Sequence, residues 1–155
     1  MKVRLRVLCV GRDRSGLYAP AVEEYAGRLS RLLRFELAEV PEARKLAGTP
    51  RAREEEGAAL LARLGPRERL VALDERGEQL QSVELAERVR RWLERAQDLT
   101  LVVGGADGLA PEVLARADER LALSRMTLPH RLARLVLVEQ LYRAMTILRG
   151  EPYHK

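Results

Sequence analysis

Leu123-Ser124-Arg125-Met126-Thr127-Leu128-Pro129-His130, with the pattern that follows it to Arg149, decides how the rest of the chain is read. Leu121 to Leu123 ends a short apolar run. Ser124 to His130 reads as a loop: Thr127 is β-branched, Pro129 has no N–H, and the residue before a proline is pushed out of the helical region. From Arg131 the pattern turns helical, with Leu132, Leu135, Val138, Leu141, Tyr142, Met145 and Leu148 spaced three and four apart. Within it, Leu135-Val136-Leu137-Val138 is apolar on every side. A helix apolar all round is buried on more than one side, so a second subunit is expected to cover it.

Working outward, Val3 to Val10 alternates around Leu5, Val7 and Cys9 and reads as a first strand. Pro20 to Leu33 reads as a helix, Phe35 to Val40 as a second strand, and Arg51 to Leu64 as a second helix after a polar loop. Leu70 to Leu73 is a third strand ending at Asp74, followed by a turn around Gly77. Ser82 is placed to cap a third helix carrying Leu85, Ala86, Val89, Trp92 and Leu93. Leu99 to Val103 is a fourth strand, Pro111 to about Ala117 a short helix, and Leu121 to Leu123 a fifth strand. Strand and helix alternate throughout, so the fold class is α/β, with a mostly parallel sheet flanked by helices.

The 155 residues fit one domain over 1–155 with a sizeable core. An apolar fraction of 46% and a charged fraction of 33% fit a globular protein. No apolar run reaches the roughly 20 residues that span a bilayer. Met1-Lys2-Val3-Arg4-Leu5-Arg6 alternates charge and apolar residue, unlike a signal peptide. Cys9 stands alone in a strand-like run and reads as a core thiol, so no internal disulfide forms and the cytoplasm is the expected compartment. Net charge is +5, and residues 1–34 carry eight basic and three acidic side chains, while residues 125–155 carry six and two. A chain basic at both ends suits a polyanion such as RNA. With aromatics at 4%, base recognition on an aromatic sheet is excluded.

Ligands of open α/β sheets bind beyond the carboxyl ends of the strands. Three loops fall there: Leu73-Asp74-Glu75, Gly104-Gly105-Ala106-Asp107-Gly108, and Ser124 to His130. Each has a plainer reading, a simple glycine turn for the second and a helix-start histidine for His130. Gly11 to Gly16 has P-loop spacing, but Leu17-Tyr18 replaces the required Lys-Ser/Thr. Two histidines and one cysteine make no zinc set.

The combination is more specific. Leu-Val-Val-Gly-Gly-Ala-Asp-Gly-Leu from Leu101, Leu-Ser-Arg-Met-Thr-Leu-Pro-His from Leu123, Val-Glu-Gln-Leu-Tyr-Arg-Ala from Val138 and the terminal Pro152-Tyr153-His154 resemble the SPOUT-class ribosomal large-subunit methyltransferase H family. The resemblance spans the chain, and Ala106-Asp107 departs from its usual Pro-Glu. It implies an α/β knot, with the stretch around Ser124 to Pro129 and the last helix threaded through a loop into a trefoil. It implies methylation of N3 of a pseudouridine in 23S rRNA, S-adenosylmethionine as cofactor, and a homodimer. By family position the cofactor contacts are Leu73, Gly105, Ser124, Arg125, Met126, Thr127, Leu128 and Pro129.

In-line methyl transfer needs the nucleophile held near about 3 Å and a place for the N3 proton. Arg143 and Tyr153 are expected to position substrate, and His154 or His130 to take the proton, with the Tyr153-His154 tail reaching the partner's site. Lys2, Arg4, Arg6, Arg131 and Arg134 are expected to meet RNA phosphates, with Arg125 beside them. Gly105 is expected where a side chain would strike the cofactor. The competing readings are a non-catalytic RNA- or ribosome-binding protein, and the same chemistry on another nucleotide.

Overall fold

The computed structural model describes residues 3–155; Met1 and Lys2, and with them the expected place of Lys2 beside Arg4, lie outside the described residues. The elements in chain order are β1 (Arg4–Val10), α1 (Ala19–Ser30), β2 (Arg34–Val40), a 3-10 turn (Arg44–Leu46), α2 (Pro50–Ala62), β3 (Arg69–Gln79), α3 (Ser82–Glu94), β4 (Leu99–Val103), α4 (Pro111–Arg116), β5 (Glu119–Ala122) and α5 (His130–Leu148). The strands form one sheet in the order β2-β1-β4-β3-β5, every pairing parallel. This is the α/β architecture expected from the alternation of elements.

Alternation along β1 divides the core. Leu5, Val7 and Cys9 face a layer with residues of α1, α3 and α5, and Leu8 and Val10 face α2 and α4. Cys9 is fully buried, and burial pushes its thiol up to about 12, against the pull of Arg134; it is a packing residue. The apolar pattern of α5 is used largely inside the chain, where α1, α3 and β4 pack on it. Leu137, Val138, Leu141, Ala144 and Met145 are buried there. Leu132 and Val136, one turn apart, join neither core layer.

Two local expectations are corrected. The turn expected around Gly77 is strand: β3 continues to Gln79, with a register shift in which Leu73 and Glu78 both face Leu121. Glycine permits this, because a Cβ at Gly77 would stand 2.7 Å from the Arg120 carbonyl carbon and the Leu121 nitrogen. The cap of α3 is Gln81, in a reciprocal box with Glu84; Ser82 lies inside the helix and donates its hydroxyl to Gln140 on α5 at 2.7 Å. The fifth strand also begins two residues earlier than expected, at Glu119.

At the amino ends of the strands the charges close on each other. Arg6 donates to Thr100 Oγ1 at 3.0 Å, to Glu68 Oε2 at 3.1 Å and to the Arg63 carbonyl at 3.0 Å. Arg4 reaches the same Glu68 oxygen at 2.9 Å, and the Thr100 hydroxyl donates to it as well. Arg6 is 4% exposed. The expected RNA role of Arg6 is therefore corrected, since its guanidinium is buried among partners, and Arg4 is committed to the same carboxylate.

Candidate active site

The three glycine-, acid- and proline-bearing loops converge on one cavity of about 680 Å³ beyond the carboxyl ends of β3, β4 and β5. Gly104 follows β4 where no side chain fits, since a Cβ there would come within 2.8 Å of the Gly108 carbonyl carbon. Gly108 has φ +79° and donates its N–H to the Gly105 carbonyl at 3.0 Å, which closes the turn. Thr127 donates its hydroxyl to Glu75 at 3.1 Å, so the proline loop is tied to the β3 wall. Met126 donates its N–H to Ser124 Oγ at 2.9 Å, and its side chain is exposed at the mouth.

Leu73, Gly105, Ser124, Met126, Thr127, Leu128, Pro129 and His130 all line this cavity; Arg125 is absent from its wall and points to solvent. Asp74, Glu75, Val103, Asp107 and Leu109 are also among its lining residues. The expected clash at Gly105 is corrected in direction: a Cβ there would meet Val10 Cγ1 at 3.1 Å and Glu56 Oε1 at 3.4 Å, behind the wall. A larger side chain would push the turn into the cavity from the rear. Glu56 itself was not legible as a site residue. It is buried, accepts the Ala43 N–H at 3.0 Å, and its other oxygen has no partner among the described residues. Burial pushes its carboxyl up, and the carboxylates of Asp107, Glu42 and Glu55 add to that against the Ala43 bond.

His130 begins α5 on the cavity wall. Burial lowers its imidazole below the ordinary value, and the cations of Arg131 and Arg134 lower it further, against Glu42. The neutral imidazole is therefore favoured, and its buried Nε2, which has no partner among the described residues, is placed to accept a proton. Arg131 donates twice to the Arg12 carbonyl, at 3.1 and 2.9 Å. Arg134 is buried and donates to Glu39 at 2.6 Å and to the carbonyls of Val10 and Gly11 at 3.2 and 2.9 Å. Its expected contact with RNA is corrected for the reason that applies to Arg6.

The remaining candidates gather elsewhere. Arg143 lies 13 residues after His130, about 20 Å along the helix at 1.5 Å per residue. Tyr153 donates to Glu139 Oε2 at 2.7 Å, and Arg143 donates to the same oxygen at 2.8 Å while its guanidinium covers the Tyr153 ring at 4.8 Å. Burial holds the Tyr153 phenol far above its ordinary value, helped by hydrogen bonds with Tyr25 and Glu139. Arg143 also meets His154 Nδ1 at 3.0 Å. An arginine can only donate, so the neutral His154 ring carries its proton on Nε2. Glu139 is the hub of this cluster and was not among the expected site residues; its i,i+4 spacing to Arg143 is the sequence signal that could have marked it. Within one chain, the cavity and the tail cluster are thus separate.

A parallel α/β sheet whose carboxyl-end loops enclose one cavity beside a neutral histidine fits a ligand-binding transferase, and the family description "Predicted SPOUT methyltransferase" matches residues 3–154; the chain belongs to the SPOUT methyltransferase family. It is 79% identical over 153 residues to the ribosomal RNA large subunit methyltransferase H of Anaeromyxobacter dehalogenans (strain 2CP-C), covering 99% of this chain and 100% of that one. It is 45% identical over 155 residues to the protein of the same name from Alkalilimnicola ehrlichii, covering 99% of each. Among solved structures, a probable methylase family protein from Haemophilus influenzae superposes with a TM-score of 0.58 at 15% identity, over 100% of this chain and 72% of that one, a likeness of fold.

Proposed function

We propose that this methyltransferase acts on the large-subunit rRNA, at N3 of a pseudouridine in 23S rRNA, with S-adenosylmethionine as methyl donor. The observation that carries the reading is the cavity. Its leucines and Val103 form an apolar wall, the glycine turn brings backbone to its side, and Asp74, Glu75 and Asp107 also line it. Carboxylates and apolar walls fit a cationic sulfonium with an ammonium group and a flat adenine. When bound, the cofactor supplies a methyl group on positively charged sulfur. Leu73, Gly105, Ser124 and Met126 through Pro129 hold it, and neutral His130 accepts the N3 proton. Arg143, Tyr153 and His154 position the base, His154 as an Nε2–H donor.

The separation of cavity and tail supports a homodimer in which the tail of one chain completes the cavity of the other, with the half-buried Leu132 and Val136 as the stripe of α5 that joins neither core layer. The same reading has the segment from Ser124 to Pro129 threaded beneath a loop as a trefoil. Calorimetry with S-adenosylmethionine should give saturable heat, whereas a pure RNA-binding module gives none. Labelled methyl groups should enter 23S rRNA from a strain lacking the enzyme, with mass mapping placing them on the pseudouridine base. The assembled mass should be about twice 17.5 kDa. Two inactive variants, Gly105→Val, which pushes the glycine turn into the cavity, and Tyr153→Phe with His154→Ala in the tail, should regain activity when mixed and reassembled. No recovery would defeat the shared site.

A further inference from the structure

We propose that a groove beside the methyl-transfer cavity, between the β1–α1 loop and the end of β2, binds the phosphodiester backbone of the RNA. The proposal rests on the reading of the substrate as rRNA. The groove holds about 360 Å³ and carries Arg12, Arg14 and Arg44 on its walls, with Glu39 and Glu42 between them. Both carboxylates already face a guanidinium: Glu39 meets Arg134 at 2.6 Å and Glu42 meets Arg44 at 3.0 Å. Arg12 and Arg14 are exposed, and neither guanidinium has a partner among the described residues. The groove therefore has an uncompensated positive charge at physiological pH.

The loop that presents these two arginines is held rigidly. Asp13, between them, turns inward and accepts the N–H groups of Tyr18 and Ala19 at 2.6 and 2.9 Å and the Ser15 hydroxyl at 2.6 Å. Those bonds hold its carboxyl down at about 2, the Ser15 bond first. Arg131 clamps the Arg12 carbonyl from the first turn of α5. Residues on either side of an inward-fixed aspartate project outward, and both are cations. The clamp also sets the groove's distance from the reaction, since His130, the neighbour of Arg131, lines the methyl cavity. A strand whose target base enters the cavity can thus lay adjoining phosphates along Arg12 and Arg14. Fixing the donors in advance lowers the ordering cost of each contact, and guanidinium is the side chain best matched to phosphate.

The test compares Arg12→Gln/Arg14→Gln with Arg67→Gln/Arg95→Gln, which removes the same charge from exposed arginines that precede β3 and β4 at the opposite end of the sheet. Binding to poly(U) and to protein-free 23S rRNA is titrated between about 50 and 200 mM salt. Two lost phosphate contacts on a single strand should flatten the log–log salt slope by about 1.4, at about 0.7 per contact. The control pair should leave the slope at the wild-type value, and the heat of S-adenosylmethionine binding should be unchanged in both. Equal slopes for wild type and the Arg12/Arg14 variant overturn the groove, as does equal flattening in the control pair, or a wild type without salt-dependent binding to poly(U). Poly(U) carries no pseudouridine, so its slopes judge the groove whatever the outcome of methylation on 23S rRNA.

Discussion

The two ends of the sheet use the same side chains for opposite purposes. At the amino ends, Arg4, Arg6 and Thr100 all donate to the buried Glu68 carboxylate. At the carboxyl ends, glycines hold the backbone open, Glu56 keeps an unpartnered oxygen behind the cavity wall, and Arg12 and Arg14 face solvent. Glu68 and Glu56 make the contrast sharpest. Burial pushes both carboxyls up, but Glu68 ends below its ordinary value because the Gly65 N–H, the Thr100 hydroxyl, Arg6 and Arg4 outweigh burial. Glu56 has a single backbone donor and like charges around it, and ends above. Stability is concentrated at the closed end and binding capacity at the open one.

The largest effect should come from opening the closed end. Glu68→Ala leaves Arg6 buried without its carboxylate and should cost about 3–5 kcal/mol, read as a lower urea midpoint, with cofactor binding lost only along with the fold. Wild type should show the same dependence on pH. Because the Glu68 carboxyl is held low, its contribution is complete above the ordinary carboxylate range and is lost as pH falls through the lowered value. A urea midpoint unchanged in Glu68→Ala would break the comparison.

Next comes the open end. Gly104→Ala places a Cβ against the Gly108 backbone, and the turn must shift. Cofactor affinity measured by calorimetry should fall tenfold to a hundredfold, about 1.4–2.8 kcal/mol, with a urea midpoint close to wild type. A variant that loses stability and binding together would mean that the glycine turn belongs to the structural end after all.

The smallest effect is a gain. The folded chain holds the Glu56 proton more tightly than the unfolded chain does, so stability falls as pH rises from the ordinary to the raised value and stays lowered above it. Glu56→Gln removes that penalty and keeps an acceptor for Ala43. It should raise the melting temperature at pH 8 by about 2–4 °C, corresponding to about 1 kcal/mol, and change little at pH 4. Destabilisation at pH 8 would place a cation beside Glu56 and erase its difference from Glu68.

The class of fold and three cavity loops were legible because hydrophobic period and glycine position are local signals. Leu99–Val103 was read to the residue for that reason. The fates of the arginines were not, since Arg6 and Arg12 look alike until β3 and β4 bring Glu68 and Thr100 to one and nothing to the other. Strand β3 was read short because Asp74 to Gly77 has turn chemistry, and only the pairing with β5 carries it on. The all-apolar turn of α5 pointed outside the chain, whereas two helices on the same face account for most of it. Glu56 sits in a helix of charged residues, and only the folded chain, by burying it against the Ala43 N–H and the glycine turn, distinguishes it from its exposed neighbours Glu54 and Glu55.

The register shift in β3 has one more consequence. Asp74, Glu75, Arg76 and Gly77 lie between two contacts with the same Leu121, so they form a bulge of β3 that leaves the pairing with β5 and is held to it on either side. Two of them, Asp74 and Glu75, are cavity wall. This segment can be lengthened or exchanged while β3 and β5 keep their pairing, which makes it the natural site for redesigning what the cavity accepts. Gly77 is the exception, because its closeness to the backbone of Arg120 and Leu121 closes the bulge.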